Sequence, residues 1–440
     1  MNNKMKKILI FGLGRSGQGL LDFLAPQYPE IWVTDDAPFN ADELSNKYHT
    51  KISDYDDKTA IDLVLLSPGI SPEHPLVKKW MQQGVPLQSE LDFAAEQLAG
   101  AILAISGTNG KSTTTAWCAH IMGVPAAGNI GIPLSSTLRE RAFLDWNILE
   151  VSSFQLEFSH TLHPKLAAIL NITPDHINWH GSLDGYISSK KRLFARMEEG
   201  DSLLLGIDSP MVRETMHKET HPFEVRAFSL LEEVDRGAFL RGGGLWLREE
   251  EDIFLVNREE LSLKGDHNVA NALATASLTY CAGVDIETIR RGLTDFSGLP
   301  HRYEVLGTIR GRRFINDSKA TNAESTLPAL KSATSETIVL LGGFDKGTGY
   351  DALFEEQHPH LKAIVCYGAS AQSVAQSAKK YGIEEIYYAQ DLEEAFEQAV
   401  SISDEGDDIL LSPASASWDV YPSFEVRGDH FRELVRRWNK

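Results

Sequence analysis

The sequence predicts an α/β protein of three domains, each built on a largely parallel sheet. Its 440 residues are enough for about three domains at the usual ~150 residues each. Short β-branched runs at 7–11, 31–34, 63–66, 101–105, 147–151, 167–171, 202–205, 337–341, 362–366 and 408–411 alternate with helical stretches, and each ends near Gly, Pro, Ser or Asp. That alternation is the pattern of stacked βαβ units. Two seams interrupt it. One is an amphipathic helix beginning at Ser89-Glu90-Leu91 and running to Gly100, and the other is Ser297-Gly298-Leu299-Pro300. They divide the chain into expected domains at 1–92, 93–298 and 299–440. Within the second, Gly237 and Gly242-Gly243-Gly244 mark turns between short antiparallel strands. No fixed-period repeat or low-complexity tract is present.

Composition narrows the function classes. With 42 Lys and Arg against 62 Asp and Glu the net charge is −20. Such an acidic chain is not suited to sequence-independent binding of nucleic acid, which needs cations to displace counterions, nor to an anionic membrane surface. No apolar run approaches the ~18 residues of a membrane helix. Lys4, Lys6 and Lys7 before the run 8–11 imitate a secretion signal, but the run is short, Arg15 breaks the stretch after it, and no small-residue cleavage site appears. Cys118, Cys281 and Cys366 are widely spaced, which argues for neither a disulfide framework nor a CxxC metal site. A cytoplasmic protein is the expectation. In so acidic a chain, basic residues inside motifs become informative.

Gly12-Leu13-Gly14-Arg15-Ser16-Gly17 follows the first strand and opens a helix, and Asp35-Asp36 close the next strand. This matches the dinucleotide fingerprint, in which glycines bring backbone N–H groups and a helix N-terminus to a phosphate. A nicotinamide dinucleotide, another diphosphate, or a ligand-free tight turn are all open on this motif alone. Gly107-Thr108-Asn109-Gly110-Lys111-Ser112-Thr113 follows the strand 101–105. It resembles a phosphate-binding P-loop, although Ile105 stands where the first Gly of GxxxxGK[ST] belongs. The backbone forms an anion nest, Lys111 would reach the β- and γ-phosphates of a triphosphate, and Ser112 would coordinate Mg²⁺. Glu150 closes the strand 147–151, where such folds place a metal-binding carboxylate; a surface charge or cap is the alternative.

His176 and His180 stand four residues apart, but no third soft ligand supports zinc, and a loop histidine is the plain alternative. Lys190-Lys191-Arg192, taken alone, reads as a solvated helix face. In Asp266-His267-Asn268-Val269-Ala270-Asn271, Asn268 and Asn271 share a helix face and suit adenine or phosphate, unless Asp266 or Asn268 simply caps the helix. Beyond the second seam, Arg302, Lys319, Lys346 and Arg427 are basic groups near strand ends and suit a γ-phosphate or a carboxylate.

Together these motifs resemble the Mur ligases, ATP-dependent amino-acid ligases of peptidoglycan precursor synthesis, from Gly12 to Arg427. GTNGKST, the Glu150 stretch, Asp175-His176, GDHNVAN and GLPHR carry the likeness. Asn316–Asn322 together with Leu411–Ser417 is narrower and resembles the branch that adds D-glutamate. The resemblance implies Rossmann-like first and last domains around a P-loop ATPase-type domain. It also implies a UDP-sugar, not NAD, in the first domain. ATP would contact residues 107–113, Asn268, Asn271, Arg302, Asp317 and Lys319. UDP-N-acetylmuramoyl-L-alanine would approach Gly14, Arg15, Ser16, Asp35, Asp36, Ser67, Gly69, Asn129, Ser152 and His176, while D-glutamate would approach Thr321, Lys346, Ser417 and Phe424. Lys111, Glu150, His176 and Lys190 would be catalytic. Two Mg²⁺ sites would use Ser112, Glu150, His176 and a carbamylated Lys190, with Lys191 the alternative register for that lysine. An Arg often found in the family two residues after the strand-end Asp is Ala37 here, leaving uridine to Asp36 or Arg15. A cytoplasmic monomer with no nucleic-acid or membrane partner is expected.

Overall fold

The computed structural model describes residues 6–439 apart from 346 and 348. The chain forms two compact units that part between Ser297 and Gly298. The first unit holds two sheets. β1 (Ile8–Phe11), β2 (Glu30–Thr34), β3 (Lys51–Asp54), β4 (Leu63–Leu66) and β5 (Leu87–Ser89) make a parallel sheet in the order β3-β2-β1-β4-β5. The chain reverses its direction of travel between β1 and β4, so the crevice of this doubly wound sheet opens beyond Phe11 and Leu66.

The second sheet comprises β6 (Ala101–Ser106), β7 (Ala126–Gly128), β8 (Trp146–Glu150), β9 (Leu166–Ile169), β10 (Ser202–Gly206), β11 (Glu224–Ser229), β12 (Gly237–Arg241), β13 (Gly244–Arg248) and β14 (Asp252–Asn257). Their order is β14-β13-β12-β11-β10-β9-β6-β8-β7, with β12 to β14 antiparallel. β6, β8 and β9 are nearly continuous apolar runs because both faces are covered. The helices Lys111–Met122 and Asp266–Cys281 pack on one face, where Trp117 stacks on Phe296 at 5.1 Å and donates its indole N–H to Gly292 O at 2.8 Å. At the edge, Phe254 faces Trp246 while Val256 faces Leu245, so Leu255 is the extra residue of a bulge. Arg290, from the helix Ile286–Asp295, donates to both Phe254 O (2.6 Å) and Leu255 O (3.1 Å) there.

The two sheets are joined by polar contacts. Ser89 N donates to Phe158 O at 2.9 Å, Asp92 accepts from His160 N at 2.9 Å and Thr161 N at 3.1 Å, and buried Glu90 accepts from Ser135 N at 2.7 Å.

The second unit is one sheet made of β15 (Glu304–Ile309), β16 (Arg312–Asn316), β17 (Thr337–Gly342), β18 (Leu361–Tyr367), β19 (Ile386–Ala389) and β20 (Asp408–Leu411), in the order β15-β16-β20-β17-β18-β19. The β15–β16 pair is antiparallel and the other neighbours run parallel. Among the described residues no helix is long and apolar enough to cross a membrane.

Candidate functional site

The turn between β6 and the helix Lys111–Met122 is held from several sides. Gly110 has φ +83°, and a Cβ there would lie 2.4 Å from Asn271 Oδ1, so only glycine fits. Asn171 clamps the loop: its carbonyl accepts from Thr108 N at 2.9 Å, its Oδ1 from Asn109 N at 2.8 Å, and its Nδ2 donates to Asn109 O at 3.1 Å. Asn171 stands two residues after β9 and before Ile-Thr-Pro, and no motif spacing marks it as functional. Lys111 folds back over the loop and donates to Gly107 O at 2.8 Å and Thr108 O at 2.7 Å. Thr113 is buried at the start of the helix beside Ser112.

Lys190 reaches the same carbonyl. It sits near the end of the helix Leu183–Lys191, 1% exposed, with Nζ 3.0 Å from Gly107 O, 3.4 Å from Ser106 Oγ and 4.7 Å from the centre of the Tyr186 ring. Burial and then the Lys111 charge push its ammonium down to about 7, against a smaller opposing pull from Asp175. The run of three cations is therefore not a solvated face. Lys191 pairs with Glu219 at 2.6 Å and Arg192 with Glu157 at 3.2 Å, while Lys190 points inward. The period of the helix hides this, because Lys190 and Lys191 point in different directions.

Glu150 ends β8 in register with Ile105, next to the phosphate loop. It is 2% exposed, its Oε1 accepts from Asn129 Nδ2 at 2.6 Å, and its Oε2 is buried without a hydrogen-bond partner. A buried, unpartnered carboxylate oxygen suits a hard cation. His176 has φ +52°, and its Nε2 lies 3.3 Å from Asp175 Oδ2. Its ring and Lys190 flank Tyr186, at 6.5 Å and 4.7 Å respectively. His180 stacks on Phe154 and bonds Ser153 Oγ at 3.0 Å; burial, then His176 and Lys190, push its imidazole down to about 4. Ser152 is occupied locally as the N-cap of the helix Ser153–Glu157 in a capping box with Gln155.

Asn271 lies against Gly110, donates to Asn268 Oδ1 at 3.2 Å and accepts from Thr114 Oγ1 at 3.3 Å. Neither Asp266 nor Asn268 caps the helix: Gly265 holds that position without a side-chain bond, and Asp266 pairs with Arg258 instead.

In the first sheet the candidate residues gather at the crevice. Gly12 has φ +92°, Ser67 Oγ donates to Gly12 O at 2.8 Å, and Asp35 accepts from Leu13 N at 2.5 Å and Ala37 N at 2.8 Å. Asp36 pairs with His74 at 3.2 Å. Gly14 precedes the helix Arg15–Leu24, whose first turn has neither a side-chain cap nor an acid, leaving its N–H groups for an anion. Gly14, Arg15 and Gly69 are exposed, and Ser16 is half-buried.

In the second unit, Asp317 is buried and accepts from Ser412 Oγ at 2.7 Å and Tyr303 N at 3.1 Å; burial pushes its carboxyl up to about 7. Lys319 Nζ lies 4.3 Å from the centre of the Phe424 ring. Ser417 is 2% exposed, whereas Thr321 is half-buried. Arg302 stands at the entry to this unit, in coulombic reach of Asp317, and Lys346 lies outside the described residues. Contrary to what its sequence position suggested, Arg427 is not available to a phosphate or carboxylate: it is fully buried, with its N–H groups on Ser318 and on backbone carbonyls.

Comparison with known proteins accounts for this arrangement. Residues 6–89 match the Mur ligase MurD-like N-terminal domain, 105–279 the Mur ligase middle domain, and 301–415 the Mur ligase glutamate ligase domain. Proteins named UDP-N-acetylmuramoylalanine--D-glutamate ligase are similar across nearly the whole chain. The one from Alkaliphilus metalliredigens is 34% identical, covering 99% of each chain. That from Koribacter versatilis is 35% identical, covering 99% of this chain and 98% of its own. Among solved structures, UDP-N-acetylmuramate-alanine ligase MurC from Thermotoga maritima superposes with TM-score 0.59 at 19% identity, covering 98% of this chain and 100% of that one. MurF from the same organism, in complex with ADP, gives TM-score 0.59 at 14% identity, covering 95% and 99%. The three-domain α/β architecture is thus shared with these enzymes, and from the end-to-end identity with its relatives this chain belongs to the Mur ligase family.

Proposed function

We propose that this chain joins D-glutamate to UDP-N-acetylmuramoyl-L-alanine at the expense of ATP, forming ADP, phosphate and UDP-N-acetylmuramoyl-L-alanyl-D-glutamate for peptidoglycan precursors. The observation that carries the reading is the convergence of Lys111 and Lys190 on the Gly107 carbonyl beside the unpartnered oxygen of Glu150. One cationic side chain (Lys111), a buried lysine whose amine is readily neutral (Lys190) and a metal-competent carboxylate around a glycine loop suit phosphoryl transfer. The names of the curated relatives support D-glutamate as acceptor.

The working assignment gives 1–92 to the UDP-sugar, 93–298 to ATP and 299–440 to D-glutamate. The loop 107–113 orients the triphosphate, and Asn268, Asn271, Arg302, Asp317 and Lys319 hold the nucleotide. Gly14, Arg15, Ser16, Asp35, Asp36, Ser67, Gly69, Asn129 and Ser152 position the UDP-muramoyl substrate; Thr321, Lys346, Ser417 and Phe424 position D-glutamate. Ser112 and Glu150 would hold one Mg²⁺, and His176 with a carbamate on Lys190 a second; bound there, the ions would neutralise phosphate charge. The substrate's terminal carboxylate attacks the γ-phosphorus, expelling ADP and giving an acyl phosphate. The D-glutamate amine then attacks the acyl carbon, losing a proton and expelling phosphate. Lys111 balances charge as it moves to the leaving ADP, and the loop holds the attack in line. Neutral Lys190 can attack CO₂ and release a proton to form the carbamate. The enzyme works in the cytoplasm as a monomer, with neither nucleic acid nor membrane as partner.

Phosphate release from ATP and Mg²⁺, measured with both substrates and with each omitted in turn, tests the reading. Release should need both, with a product heavier by one glutamate residue. Turnover only with L-glutamate and a folate would discard it.

A further inference from the structure

Arg427 lies in the helix Phe424–Trp438 with none of its surface exposed. Its Nε donates to Ser318 Oγ at 3.0 Å and its Nη2 to Ser318 O at 2.9 Å. Nη1 donates to Ser415 O at 3.0 Å, Ala416 O at 3.2 Å and Gly342 O at 3.4 Å. Ser318 follows β16, Gly342 ends β17, and Ser415 and Ala416 follow β20. These three strands are neighbours, and they flank the point where the chain passes from β16 over to β17 and later returns to lay β20 between them. In an open α/β sheet that crevice is where a ligand sits. Here a guanidinium fills it.

An arginine cannot shed its charge, and its burial is costly unless its N–H groups find acceptors. All of these acceptors are neutral oxygens on three separate loops, so the side chain is satisfied only while the loops stay together. The packing leaves no slack. Gly343 has φ +138°, and a Cβ there would lie 2.2 Å from Ala416 O and 3.0 Å from Arg427 Nη1. Phe344 N donates to the same Ala416 carbonyl at 2.8 Å.

We propose that Arg427 is a positioning residue for the acceptor amino acid: it gathers the loops after β16, β17 and β20, fixing Thr321 and Ser417 beyond them. Being buried, it acts through the loops and does not touch the substrate. The proposal rests on the reading of this unit as the D-glutamate domain.

The test is steady-state kinetics on wild type, Arg427→Lys and Ser318→Ala. Wild type must first release phosphate in dependence on D-glutamate; failure at that step overturns the functional reading and this proposal with it. A lysine offers one point charge for acceptors on three loops, so Arg427→Lys should raise the KM for D-glutamate at least tenfold. The KM values for ATP and for the UDP-muramoyl substrate should stay within about twofold. Ser318→Ala removes one acceptor of Arg427 together with the hydroxyl's own bond to Phe424 O at 2.8 Å, and should raise the KM for D-glutamate about threefold with the same selectivity. A fall in kcat alone, or equal changes in all three KM values, would mean a merely structural role and overturn the proposal. If Arg427→Lys does not fold, Arg427→Gln, which keeps two N–H donors without the charge, is judged by the same criterion.

Discussion

Lys190 provides the sharpest test of the catalytic reading, because its chemistry depends on a proton. With its ammonium at about 7, roughly nine-tenths of the amine is neutral at pH 8 and roughly one-tenth at pH 6. An ordinary lysine near 10.5 would be neutral to only about 0.3% at pH 8 and a hundredfold less at pH 6. The rate of reaction with CO₂ should therefore fall about tenfold from pH 8 to pH 6, not a hundredfold. The assay is recovery of activity in CO₂-depleted enzyme after addition of ¹³C-labelled CO₂, with the carbamate followed by NMR. Lys190→Ala should be inactive, without carbamate signal, and partly rescued by short carboxylic acids. Stability gives a second readout. A lysine whose folded value lies below its unfolded one destabilises fully below pH 7, and the penalty fades between 7 and 10.5 as the unfolded chain alone keeps the proton. The shift corresponds to at most ~5 kcal/mol. Wild type should gain stability across that window, and Lys190→Met should flatten the gain. Full activity of Lys190→Ala without rescue, or a hundredfold pH effect on CO₂ uptake, would refute the reasoning.

Other sites give expectations of their own. Glu150→Gln keeps an acceptor for Asn129 but removes the charge beside the phosphate loop, so kcat/KM should fall at least ~10²-fold, with a higher Mg²⁺ requirement seen in a metal titration. Gly110→Ala, which drives a methyl toward Asn271 Oδ1 at φ +83°, should cost of order 1–3 kcal/mol and weaken ATP binding measured by calorimetry. Asp317 is held near 7 by burial, above its usual 3.8, so its penalty grows as pH rises from about 4 to 7. Asp317→Asn should remove that part of the decline in thermal midpoint, and an unchanged slope would contradict the assignment.

Much of the fold is legible because parallel strands buried on both faces read as apolar runs; 101–105 and 147–151 correspond to β6 and β8 almost residue for residue. β16 is not legible in this way. Its Arg312 and Arg313 look like a surface, yet Arg313 forms an ion pair with buried Asp408 of the adjacent strand, and Arg312 bonds Ser403 Oγ at 2.7 Å. The phosphate loop is legible as spacing. The Asn171 clamp is not, because it needs a strand end distant in sequence to lie beside the loop. Lys190 and Arg427 show the limit most clearly. Taken alone, Lys190 reads as part of a solvated face and Arg427 as a ligand for an anion; what decides both is burial, which depends on neighbours about a hundred residues away.

The bulge at Leu255 bears on how this protein avoids its own copies. β14 is an outer strand of the nine-stranded sheet, and an outer strand offers a row of unpaired backbone groups to any other extended chain. The bulge turns two successive carbonyls toward one side, and Arg290 takes both. An incoming strand would have to displace a charged fork and align with a broken register. The price of losing Arg290 would therefore fall on aggregation during folding, at high protein concentration, before it was felt in catalysis.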